Sequence, residues 1–183
     1  VTSLINGINE FSFDNSLTFF DLVYSEIDVL CGVKFKHRLV QINLPESTSK
    51  DYLANVVLYH ELGHFVEKKY KISKHIYIEL IQAYKKGLSA DDEKTVLNYF
   101  PYFADVDYLA WLEANYDPYN MFAMHISEYF CDLFASQYIK DCSSIYLEYI
   151  TLNEQDYSAT HPSTVVRVFL VNDFLSGKNN YLV

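Results

Sequence analysis

The chain has 183 residues, of which 14 are Lys or Arg and 24 are Asp or Glu, giving a formal net charge of -10, and half of its residues are hydrophobic. Its 17 Tyr, 13 Phe and single Trp can bury a large core, which excludes a disordered chain, while five Gly and four Pro are too few for a turn-rich β-sandwich or barrel. The acidic surplus argues against nucleic acid or an anionic membrane as partner, because affinity for phosphates rests on Lys and Arg.

Residues 16–30 place Phe20, Val23, Ile27 and Leu30 at spacings of three and four behind an Asn15 or Ser16 cap, which predicts an amphipathic backing helix. From 33 to 44, Val33 and Phe35 alternate with Lys34 and Lys36 and the stretch ends at Pro45, which predicts a strand and hence a small sheet. Thr48-Ser49-Lys50-Asp51 has the form of a capping box and opens a helix to about Tyr70 with Gly only at position 63. A helical insert is expected at about 75–117, with helices over 75–86, 90–100 and 107–115 punctuated by Gly87, Pro101 and Pro118. Asp91-Asp92-Glu93 reads as an acidic first turn answering its helix dipole. A strong helix follows Pro118 to about Lys140, and a last one starts near Pro162. The expected class is α+β, predominantly helical with a small β-sheet, as a single domain over 1–183.

Cys31, Cys131 and Cys142 form no CxxC pair, so neither a disulfide framework nor a four-cysteine zinc site is expected and a reducing compartment fits best. No apolar run approaches the roughly 18 residues that span a bilayer, and no basic segment precedes an apolar one at the start of the chain. The expectation is a cytoplasmic protein without membrane insertion.

The chemistry begins at His60-Glu61-Leu62-Gly63-His64. Two imidazoles four residues apart lie about 40° apart around a helix and can grip one metal ion, while Glu61, about 100° from His60, is placed to hold a water beside it. With six His in the chain, such a string arises by chance about 1% of the time. Leu53 and Val57 share the His60 side and Leu58, Leu62 and Phe65 cover the other, so this helix is expected to be buried, and its polar groups need partners that a metal ion would provide. A catalytic zinc needs a third protein ligand and leaves one position open. The metzincin extension is absent, since Glu67 and Tyr70 stand where it requires Gly and His. In Glu128-Tyr129-Phe130-Cys131-Asp132, two carboxylates share one face of an aromatic helix, so Glu128 is the expected third ligand and Asp132 the acceptor for a ligand imidazole N–H.

HExxH followed by ExxxD resembles the gluzincin clan of zinc metallopeptidases. Thr160-His161-Pro162-Ser163-Thr164-Val165-Val166-Arg167 resembles the THPxxxxR segment of the branch holding the CaaX prenyl proteases and HtpX. The resemblance covers Thr48 to Arg167 and implies a zincin-like metallopeptidase domain with one Zn2+ per chain on His60, His64 and Glu128. It further implies Glu61 as general base, Asp132 behind a ligand histidine, His161 stabilising the oxyanion, and Arg167 holding substrate backbone or orienting His161. That branch is mostly membrane-embedded, so this chain looks more like the small soluble minigluzincin form, and membrane-protein substrates are not carried over. HELGH followed by Glu128 and Phe134-Ala135 also resembles the ImmA/IrrE regulatory proteases, whose pattern leaves His161 to Arg167 unexplained.

The expected activity is endopeptidase hydrolysis of a protein or peptide substrate. The rival is a non-catalytic zinc-containing regulatory or binding module, against which Glu61 speaks, because a closed structural site has no use for a base. His125, three residues before Glu128, reads as a hydrogen-bonded core or rim histidine, with a role at the metal as the alternative. His37 and His75 read as surface residues and Cys131 as packing, and a tyrosine from the Tyr99–Tyr108 stretch could assist at the oxyanion.

Overall fold

Long runs without Gly or Pro leave the backbone free to stay helical, and in the computed structural model it does so. Residues 12–14, 18–32, 41–43, 53–140, 142–150 and 157–178 are described. In chain order they form β1 (Ser12–Asp14), α1 (Thr18–Cys31), β2 (Gln41–Asn43), α2 (Ala54–Tyr70), α3 (Ile72–Lys86) and α4 (Ala90–Tyr99). A 3-10 turn at Pro101–Ala104 then leads to α5 (Val106–Ala114), α6 (Met121–Ile139), α7 (Cys142–Ile150) and α8 (Thr164–Leu175). No helix among the described residues is long and apolar enough to cross a membrane.

The expected α+β class with a small β-sheet is overturned: about 80% of the described residues are helical. Their one extended pairing is the antiparallel contact of β1 with β2 over three residues, with Phe13 opposite Ile42. Two strands of that length make no sheet layer, because a layer needs more strands and a buried apolar face. The alternation over 33–44 prompted the expectation, yet only Gln41–Asn43 of it is extended among the described residues. Residues 33–40 and the capping box at 48–51 lie outside the described residues. The helix α7 has no counterpart among the expected elements.

Local chemistry sets several helix starts. Ser89 accepts from the Asp92 N–H, Asp105 from the Asp107 and Tyr108 N–H groups, and Asn120 from the Ala123 N–H, each satisfying a donor the first turn leaves open. Between α2 and α3 the chain turns at Lys71, whose φ of 55° lies in the left-handed region.

The helix enclosed most fully is α6, which buries Phe122, Ile126, Tyr129, Cys131 and Ala135 together with His125, Glu128 and Asp132. On one side it meets an aromatic core from α3, α4, the 3-10 turn, α5 and α8, built on Phe100, Phe103, Phe122 and Leu112, all at most 1% exposed. On the other it packs along α2 and α7, where Val56, Val57, Ala135 and Tyr146 form a smaller cluster. The α2–α6 approach is unusually close at Gly63: a Cβ there would lie 2.9 Å from the Cys131 Cα and 3.2 Å from its Sγ. Only a residue without a side chain lets these two helices come together at this depth.

Candidate metal centre

One helical turn on α2 brings the His60 and His64 rings edge to face, with centroids 5.0 Å apart. One turn on α6 sets Glu128 and Asp132 opposite them. The Glu128 carboxylate spans both imidazoles, with Oε2 3.3 Å from His60 Nε2 and Oε1 3.4 Å from His64 Nε2. Ligands held about 2.05 Å from a tetrahedral zinc are about 3.3 Å from one another, so these separations are of the size that two ligands of one ion would have. Glu128 Oε2 is buried and has no hydrogen-bond partner among the described residues. A buried carboxylate oxygen facing two ring nitrogens without a proper hydrogen bond is what a cation would satisfy.

The outer nitrogens are held as ligation requires. His60 Nδ1 lies 2.9 Å from Asp132 Oδ1, a carboxylate that can only accept, so Nδ1 carries a hydrogen and Nε2, which faces Glu128, offers its lone pair once the ring has given up its second proton. His64 Nδ1 lies 3.3 Å from the Ser127 hydroxyl, a partner the sequence reading did not identify although it adjoins Glu128. Arg167, 8% exposed, grips Asp132 with both arms of its fork, Nε to Oδ2 at 2.7 Å and Nη2 to Oδ1 at 2.8 Å. Its Nη2 also lies 3.5 Å from Glu128 Oε2. The guanidinium is therefore held by Asp132, with one arm also beside Glu128.

The charges follow from this packing. Burial alone would lower the His60 imidazole, but Asp132 and Glu128 outweigh it and hold it up at about 10. Burial pushes the Glu128 carboxyl up, yet His60, His64 and Arg167 bring it well below the usual range. Asp132 is likewise held down, by Arg167 and His60 against burial. Glu61 is 7% exposed and accepts no hydrogen bond from the described residues; burial raises its carboxyl while His60 and His64 pull the other way, leaving it above the ordinary value.

His60, His64 and Cys131 form a group that could hold a metal ion, their ligating atoms all lying within 4.8 Å of one another. Cys131 comes this near because Gly63 lets its backbone in. Burial, reinforced by Glu128 and Asp132, pushes its thiol well up, which opposes the thiolate a metal needs.

His161 stands at this centre without entering the His60, His64 and Glu128 cluster. Its Nε2 lies 3.8 Å from Glu128 Oε2 and its side chain is 55% exposed. The ring is set by a tight turn in which Thr160 Oγ1 meets Nδ1 at 2.8 Å and the His161 N–H donates to Ser158 Oγ at 2.9 Å. The turn is in turn tied to α6. His125, 1% exposed, donates from Nε2 to the Ser158 carbonyl at 2.8 Å, which leaves Nδ1 to accept from the Tyr102 hydroxyl at 3.2 Å. Burial lowers the His125 imidazole, in keeping with that neutral form. His125 is thus a buried histidine that supports the His161 turn, and Tyr102 acts through it.

A cleft of about 580 Å³ opens beside the centre, lined by His64, Ser127 and Glu128 and also by Lys68, Lys71 and Lys74. No protein-family model, no curated protein and no solved structure matches this chain.

Proposed function

We propose that the chain is a zinc-dependent endopeptidase acting on a protein or peptide substrate, with His60, His64 and Glu128 holding one zinc ion per chain. The observation that carries the reading is that the Glu128 oxygens lie 3.3 and 3.4 Å from the two Nε2 atoms, with Oε2 buried and making no hydrogen bond among the described residues. When bound, zinc supplies Lewis-acid polarisation of a carbonyl and lowers the pKa of water to about 7.

The chain's own residues do the rest. Glu61, raised by burial, accepts the proton of the attacking water and delivers it to the leaving amine. When Thr160 donates to Nδ1, His161 carries its hydrogen on Nε2 and can donate to the oxygen that gains charge. Asp132 fixes the His60 ring, and Arg167 fixes Asp132 while offsetting the charge of Glu128. The gluzincin-like motifs support this assignment, and the free cysteines Cys31, Cys131 and Cys142 favour a cytoplasmic setting.

One observation favours a closed, non-catalytic site: Cys131 Sγ lies near both histidines and could complete four protein ligands. Its raised thiol and the presence of Glu61 favour the open, catalytic form.

Elemental analysis of protein purified without added metal should find one zinc per chain, lost in His60→Ala and Glu128→Ala and kept in Cys131→Ala. Glu61→Gln should keep the zinc and lose turnover by about two to four orders of magnitude on substrates identified by comparing cleaved proteomes. Zinc held as firmly by Glu128→Ala as by the parent overturns the ligand set, and full activity of Glu61→Gln overturns the mechanism.

A further inference from the structure

The chain is acidic overall, with 24 Asp and Glu against 14 Lys and Arg, yet three lysines line the cleft beside the candidate metal centre. Lys68 lies at the end of α2, Lys71 at the corner and Lys74 on the first turn of α3, all lining the same cleft as His64 and Glu128. Among the described residues neither Lys71 nor Lys74 is paired with a carboxylate, whereas Lys85 and Lys178 are. Lys74 is half-buried with its ammonium 5.1 Å from the centre of the Tyr116 ring, which holds it in place without neutralising it.

The carboxylates that share this cleft do not answer Lys71 or Lys74. Glu128 is engaged by the histidines and Arg167, and Glu67 is buried and accepts from the Ser73 hydroxyl. Lys71 also occupies a left-handed backbone position, where glycine would sit with least strain, so the side chain there is not explained by the turn it makes. Unpaired cations lining a concave cleft focus a positive field into it and attract negative groups from an otherwise acidic surface.

We propose that this lysine lining is a specificity subsite for acidic side chains, so that the preferred substrate carries two or more Asp or Glu residues on the side of the scissile bond that runs past His64 toward α3. The inference rests on the peptidase reading above. The cleft would draw the carboxylates to Lys71 and Lys74 while the neighbouring peptide unit lies against Glu61 and His161.

The test uses zinc-loaded Glu61→Gln protein and two fluorescein-labelled octapeptides of alanine and glycine, identical except that one carries three Glu and the other three Gln. Fluorescence anisotropy at low salt should show the Glu peptide binding at least tenfold tighter, with the gap closing at 0.5 M NaCl. In a K71Q/K74Q background with unchanged zinc content the gap should vanish, and K71R/K74R should restore it. Equal binding of the two peptides, no binding of either, or a preference that survives K71Q/K74Q overturns the subsite. Turnover assays with the Glu61-bearing protein separate the two ideas. Both peptides cut at equal rates would leave the peptidase and remove the subsite, whereas selective binding of the Glu peptide without any cleavage would keep the subsite and remove the peptidase.

Discussion

Gly63 and Cys131 touch where α2 crosses α6, close enough that a methyl group on residue 63 would meet the Cys131 backbone at 2.9 Å. His60 stands about one turn before this contact, His64 directly after it and Glu128 one turn from Cys131, so the depth of the crossing sets the distance between the candidate ligands. Gly63→Ala should force the helices apart, costing about 1–3 kcal/mol of stability as overpacking does. It should also weaken zinc binding by more than tenfold, read by chelator competition. Because the clash is with backbone, Cys131→Ala should not rescue it; full zinc affinity in Gly63→Ala would show that the crossing does not set the site.

The fork of Arg167 on Asp132 should be felt at the metal without touching it. Arg167→Met takes the charged fork from the buried Asp132 and leaves it only the His60 ring, a loss of about 3–5 kcal/mol. Zinc affinity should fall about 10–100-fold through the slackened His60 ring. Arg167→Lys should recover little, since one ammonium cannot serve both Oδ1 and Oδ2. Urea denaturation of the metal-free protein and a zinc titration measure the two effects separately.

His60 gives the metal a proton to compete with. Its imidazole is held up at about 10 in the folded protein against 6.5 ordinarily. In the metal-free form this stabilisation is fully present below pH 6.5 and is lost as pH rises toward 10. Zinc must displace that proton, so affinity should climb by about tenfold per pH unit between pH 7 and 8.5. A flat profile there would mean that His60 is already neutral.

His161→Ala should lower turnover by about 10²–10³ with zinc content unchanged, the scale for losing one donor to a developing oxyanion. His125→Phe should act on the same step by releasing Ser158. The double variant should then be no slower than His161→Ala alone, since positioning a missing ring achieves nothing. Additive losses would give His125 a separate role.

Much of the metal centre could be read from the chain because its parts are local. His60 with His64 and Glu128 with Asp132 are each one helical turn apart, and a turn's periodicity is visible in sequence. What joins the two pairs is the missing side chain of Gly63, which no local pattern announces. The same depth of crossing brings Cys131 near the histidines, although on α6 alone it reads as packing. The motif implies that Arg167 holds substrate backbone or orients His161, while its bond to the buried Asp132 is supplied only by the tertiary packing. Ser127 and the Tyr102–His125–Ser158 chain join residues far apart in sequence, with no periodicity to mark them. On the fold, alternation over 33–44 suggested a sheet, but an alternating run needs partners of equal length, and β1 and β2 pair over three residues.

Tyr102 sits on the 3-10 turn between α4 and α5, and its hydroxyl reaches the histidine that carries the Ser158 carbonyl. The helices from α3 to α5 are therefore a buttress and cannot be trimmed away to leave a smaller protein. A two-helix graft of α2 and α6 would retain the ion-binding side chains and lose the support of His161. Substitutions through this stretch should accordingly be tolerated on one side only. The outward positions Ile78 and Val106 are at least 40% exposed, while Tyr102, Phe103 and Leu112 are at most 9% exposed and form the inner edge from which Tyr102 reaches His125.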